Sequence, residues 1–193
     1  MYSILLRYFN ICRNIENMRK EFGKQDILKA LKTLDSLAKN PFEIIIAGGS
    51  AMICSYQFPL GTTDVDAIIK KSNLSEVDIY IKKTAKRLSL SPDWLNIWVS
   101  SFTHYLPGDY ENRLNILFKG EQITAKTLGK EDILILKCFA HRGKDIAHAR
   151  ALIKQKTDID FVENHINNLI AKNWPQAKKA LDFLYDILDE LGL

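Results

Sequence analysis

The stretch from Ile44 to Ile69, IIIAGGSAMICSYQFPLGTTDVDAII, limits the fold of this chain more than any other part of it. The short apolar run Ile44 to Ala47, bounded by a turn signal, reads as a buried strand. It runs straight into Gly48-Gly49-Ser50, where two residues without a Cβ let the backbone turn sharply and come close to a neighbour. Residues 50–57 then read as a short helix, and Val65 to Ile69 as a second strand. Side chains two apart on a strand share a face, so Asp64 and Asp66 project together from the mouth of that strand.

The rest of the chain extends this into an α/β (α+β) layout. Ile27, Leu28, Leu31, Leu34 and Leu37 fall on one face of a helix over 26–38, which Pro41 stops. SEVDIYIKKTAKRLSL begins with Ser75 and Asp78 in capping-box spacing and carries Val77, Tyr80, Ile81, Thr84 and Leu88 along one face. LNIWVSSF, RLNILF and QITAKTL read as three further strands, separated by LPGDYEN and Lys119-Gly120. From Lys130 the pattern is helical throughout, over 130–141, 145–155, 158–171 and 175–191. The expected organisation is an α/β core over 1–129, including an N-terminal helix, with a helical region over 130–193 packed on it.

Composition narrows the setting. A chain of 193 residues with 47% hydrophobic and 26% charged residues can bury one substantial core. The net charge of +4 is spread along the chain, which permits a nucleotide or nucleic-acid partner without requiring one. Cys12, Cys54 and Cys138 are far apart and odd in number, forming neither a disulfide framework nor a zinc pattern, so a cytoplasmic location is expected. No apolar stretch approaches the roughly 18 residues of a membrane span. The opening MYSILLRYFNICRNIENMRKEF lacks a basic n-region and a small-residue cleavage site, and reads as an amphipathic helix.

The glycine corner and the acid pair have two readings each. Gly-Gly after a strand serves as a plain turn, or as the start of a helix whose free N–H groups meet an anion such as a triphosphate. No Walker lysine follows and no G-x-G-x-x-G is present, so neither a P-loop nor a Rossmann site is indicated. Asp64 and Asp66 are either a solvated strand end or a pair of hard oxygen ligands, since adjacent carboxylates repel unless a cation or proton lies between them. The apolar neighbours Val65, Ala67, Ile68 and Ile69 set the pair at the edge of a core. With Thr62 and Thr63 as hydroxyl donors, corner and pair together suit phosphoryl or nucleotidyl transfer.

Gly49-Ser50, thirteen intervening residues and Asp64-Val65-Asp66 resemble the G-S-x(n)-D-x-D signature of the nucleotidyltransferase superfamily, which includes DNA polymerase beta and kanamycin nucleotidyltransferase. In style the segment is similar to small bacterial members, among them the toxins of abortive-infection toxin–antitoxin systems. The resemblance implies a nucleotidyltransferase-like mixed sheet flanked by helices. It implies magnesium (or manganese) held by Asp64 and Asp66, an NTP substrate, and phosphates cradled by Gly48, Gly49, Ser50 and Thr63. EDILILKCFAHRGKDIAHARALI resembles the helical region of the toxin-like branch, which implies active-site roles for Lys137, Arg142 and Asp145. Without the resemblance, Lys137 snorkels from an apolar face shared with Ile133 and His141, and Arg142 and Asp145 pair at a helix junction. The implied acceptor is RNA, a protein or a small molecule, and a cognate antitoxin is an implied partner.

A third carboxylate is expected from a neighbouring strand, yet none of the three later strand segments contains one. Asp93, Glu111 and Glu121 flank them and are the candidates, Glu121 foremost. A chain without that group would be a nucleotide-binding or partner-binding module of the same fold instead of an enzyme. His104 and His148 have no partner at catalytic spacing and read as packed or solvated. Trp94 and Trp98 read as core residues, with base stacking as the alternative. The stripe Ala177, Leu181, Leu184, Leu188 and Leu191 closes the helical half, makes a homodimer or docks the antitoxin.

Overall fold

The computed structural model describes residues 21–59 and 61–193, and the side chains of these except at 98–101. The amphipathic helix expected at the N-terminus, Cys12 and the Trp98 side chain lie outside that description. Helix α1 (Lys24–Leu37) buries Ile27, Ala30, Leu31 and Leu34 and leads into strand β1 (Phe42–Ile46). Strand β1 is buried at four of five positions, as a central strand covered on both faces requires. Helix α2 (Gly48–Ser55) follows at once, then strand β2 (Val65–Lys70) and helix α3 (Leu74–Leu88). The cap of α3 differs from the capping-box expectation: Asn73 is the N-cap, its Oδ1 accepting from Ser75 N at 2.8 Å.

Strands β3 (Leu95–Asn96), β4 (Asn115–Lys119) and β5 (Ile123–Thr127) complete a five-stranded sheet in the order β3-β2-β1-β5-β4. The β1–β2 and β4–β5 pairs are antiparallel, and the β1–β5 and β2–β3 pairs parallel. The strand expected over LNIWVSSF is mostly absent. Only Leu95 and Asn96 pair with β2, and Trp98–Tyr105 winds into 3₁₀ turns. An apolar run does not by itself distinguish these outcomes. Tyr105 at the end of the turns stacks on Phe139 with ring centroids 4.1 Å apart, an anchor that lies outside the sheet. Trp94 is fully buried, its Nε1 donating to Ile81 O at 3.2 Å, which satisfies the core reading.

Four helices follow: α4 (Lys130–Ala140), α5 (Gly143–Lys154), α6 (Ile159–Ala171) and α7 (Ala177–Leu191). Helix α4 is buried on nearly all sides, including Asp132 and Lys137. A helix apolar around most of its circumference belongs in the middle of a fold, and its two buried charges therefore need partners. Asp132 finds Arg113, whose Nη2 donates at 2.8 Å and Nε at 3.1 Å. Buried residues of the sheet and of α4 to α7 form one continuous core, to which α7 contributes Ala177, Ala180, Leu184 and Ile187. Among the described residues no helix is long and apolar enough to cross a membrane.

Candidate active site

Gly48 is glycine for two reasons. Its φ of +60° lies in the left-handed region, and a Cβ there would collide with the Asp66 carboxylate. The turn is fastened to β2 by Ala47 N donating to Asp66 O at 2.8 Å. Ser50 strengthens the same joint. Its buried hydroxyl donates to Ala47 O at 3.1 Å and accepts from Asp66 N at 3.2 Å. The Ser50 side chain therefore ties corner to strand, and the groups this corner can offer a ligand are the first N–H groups of α2, which lack partners within the helix. Phe22 and Thr62 exchange backbone hydrogen bonds at 2.6 and 3.2 Å, which pins the loop carrying Thr62, Thr63 and Asp64.

Asp64 lies just before β2 and Asp66 within it. Burial raises the Asp66 carboxyl above its ordinary value and repulsion from Asp64 adds to this, opposed by Lys137, Asn96 and Arg142. A pair so strained accommodates a cation, and two carboxylates are a hard-oxygen donor set that fits magnesium. Among the described residues no third His, Cys, Asp or Glu joins them. Asp93 bonds to Ser91, Glu111 pairs with Lys70 at 2.7 Å, and Glu121 sits beside Asp35 at the β4–β5 turn. None of the three lines the cleft at the acid pair. The side chain that stands there is Asn96, paired in register with Asp66, its Nδ2 donating to Asp66 Oδ1 at 3.0 Å.

Opposite the acids lies a buried charge cluster. Asp145 is fully buried and accepts from Lys137 Nζ at 2.7 Å, Arg142 Nε at 2.7 Å and Arg142 N at 3.3 Å. His148 Nδ1 approaches it to 3.7 Å. Burial would raise the Asp145 carboxyl, but its neighbours His148, Arg142 and Lys137 together hold it well below the usual carboxylate range. Burial pushes the Lys137 ammonium down from its ordinary value, against the pull of Asp145. The pairing expected at the helix junction is thus present, and Lys137 and Arg142 also line the cleft. Asp145 lies behind them and lines neither half of it.

The cleft has two lobes that share Asp66, Asn96, Lys137 and Arg142. A polar lobe of about 330 Å³ is lined by Gly49, Thr62, Thr63 and Asp64, with Lys144 and His148. A more apolar lobe of about 470 Å³ is bounded by Gly48, Phe102, Ile133, Leu136 and Phe139. The sequence reading brought Gly48, Gly49, Thr63, Asp64, Asp66, Lys137 and Arg142 to this cleft. It missed Asn96, Phe102, Lys144 and His148. For His148 a signal existed, because a residue three positions after Asp145 on a helix faces it. Asn96 carried no signal before its strand was paired.

With this geometry in place, comparison with known proteins adds one match. A family model described as "Nucleotidyltransferase of unknown function (DUF6036)" matches residues 25–187. No curated protein and no solved structure matches the chain.

Proposed function

The chain belongs to the family of nucleotidyltransferases of unknown function (DUF6036), and on that premise we propose that it transfers a nucleoside monophosphate from an NTP to an acceptor hydroxyl, releasing pyrophosphate, with magnesium as cofactor. The observation that carries this reading is the close approach of the left-handed Gly48 corner to the half-buried Asp66 carboxylate, with Lys137 and Arg142 lining the same cleft. Asp64 and Asp66 would hold the ion, which when bound neutralises phosphate charge and orients the attacking oxygen. The N–H groups of Gly48, Gly49 and Ser50 bind phosphate oxygens at the start of α2, with Thr63 beside them. Lys137 and Arg142 hold the polyphosphate by charge-assisted hydrogen bonds, and Asp145 fixes where they point. The acceptor is RNA, a protein or a small molecule. A bacterial cytoplasmic toxin with a cognate antitoxin is the setting that the resemblance supplies.

Asn96 favours a second reading, a nucleotide-binding module without transfer, because an amide beside Asp66 cannot take a proton from the acceptor. Incubation with α-labelled NTPs, magnesium and total RNA or protein separates the two. Label should move with the parent protein and not with Asp64→Ala/Asp66→Ala. MgATP binding without any transfer would favour the module, and equal transfer by the double variant would remove the acid pair from the mechanism.

A further inference from the structure

His148 is nearly buried, with 14% of its side chain exposed, and it lines the polar lobe. Its Nδ1 is sealed from solvent and has no hydrogen-bond partner among the described residues, lying 3.7 Å from Asp145 Oδ1. Phe58 meets the ring edge-on with centroids 4.5 Å apart, which fixes the plane of the imidazole. With Nδ1 sealed, the nitrogen that can reach the cleft is Nε2. A buried imidazole backed by a carboxylate and open at its other nitrogen is the form in which histidine moves protons. Its place in the cleft says which proton. His148 lines the polar lobe with Gly49, Thr63, Lys137 and Arg142, all assigned above to the phosphates, and is absent from the apolar lobe.

We propose that His148, held beside Asp145, is the proton donor to the departing pyrophosphate. The inference rests on the nucleotidyl-transfer reading above. In the step, the acceptor oxygen forms a bond to the α-phosphorus and the bond from that phosphorus to the bridging oxygen breaks. The electron pair stays on the bridging oxygen, which takes the proton from His148 Nε2. The hydroxyl proton leaves to solvent, and His148 is recharged from solvent through the cleft. Asp145 on the same helix lies against the ring, and the charged groups that share the lobe with it are Lys144, Arg142, Lys137, Asp64 and Asp66.

The test varies the leaving group. Single-turnover transfer is measured with α-labelled NTP and its β,γ-methylene and β,γ-difluoromethylene analogues, whose leaving groups are more and less basic. Total RNA and protein serve as acceptors for the parent, His148→Gln and the smaller His148→Asn, each checked for MgATP binding and thermal midpoint. The expected result is a loss of about 100-fold with the natural NTP, larger with methylene and smaller with difluoromethylene. An equal loss with all three, or none, overturns the assignment of His148 and leaves nucleotidyl transfer standing. A parent that transfers no label overturns both. If neither variant folds while the parent shows no dependence on the leaving group, the proposal also falls.

Discussion

Asn96 donates to Asp66 Oδ1 at 3.0 Å because parallel pairing of β3 with β2 sets the two residues side by side. A carboxylate at this position would face Asp66 across the same short distance. Asn96→Asp should therefore lower stability without divalent ions by about 1–2 kcal/mol, since a hydrogen bond becomes a repulsive contact. Millimolar magnesium should restore the loss and bind more tightly than to the parent. Thermal unfolding with and without magnesium reads both effects. A midpoint indifferent to magnesium would show that Asn96 does not stand at a cation site.

Gly48→Ala joins a left-handed backbone to a collision with the Asp66 carboxylate. The backbone alone costs about 1–2 kcal/mol. The side chain that must give way is a proposed ligand, so MgATP affinity should drop at least tenfold. Denaturant unfolding and calorimetric titration measure the two consequences separately. Unchanged MgATP affinity in a folded variant would mean that the corner takes no part in binding.

Asp64→Asn should make the protein more stable and less able to bind. The Asp66 carboxyl is raised by burial and then by Asp64, so its ionisation opposes folding. The stability tied to its protonated form is full below the ordinary carboxylate value and is lost as pH rises through the raised one. Removing the neighbouring charge should return about 1 kcal/mol at pH 7, a rise of roughly 2–4 °C in midpoint. That gain should shrink in acid, as Asp66 takes up its proton. A lower midpoint at pH 7 would argue that the two acids do not repel.

Lys137 and Asp145 should behave as a unit. Asp145→Ala leaves a buried ammonium without its carboxylate and should cost about 3–5 kcal/mol, while Lys137→Met/Asp145→Leu should cost less than the sum of its parts. The native Asp145 carboxyl lies below its ordinary value, so its stabilisation is full above about pH 4 and lost as pH falls toward the depressed native value. The gap between the parent and Asp145→Asn should accordingly narrow in acid. Additive losses in the double-mutant cycle would deny the coupling.

Much of the fold was legible because it depends on near neighbours. Leu31 and Leu34 lie one helical turn apart along the chain and on one buried face of α1, and Val65, Ala67 and Ile68 carried their strand. The failure over LNIWVSSF came where an apolar run had two destinations. Pairing ended at Asn96, and Tyr105 found Phe139 on a helix 34 positions away. Arg142 and Asp145 were legible as a pair at a helix junction and Lys137 as a residue of an apolar face, yet the burial of Lys137 and Asp145 depended on α4 being enclosed on nearly all sides.

The sequence by itself determined the corner at Gly48 and the acid pair at Asp64 and Asp66, since a missing Cβ and the alternation of a strand act within a few residues. Only the tertiary structure decided what surrounds that pair. Asn96 reached Asp66 through strand register, and His148 and Arg142 reached the cleft through the docking of α5 on α4. Register and docking follow from burying apolar surface over the whole chain, and no local pattern encodes that sum.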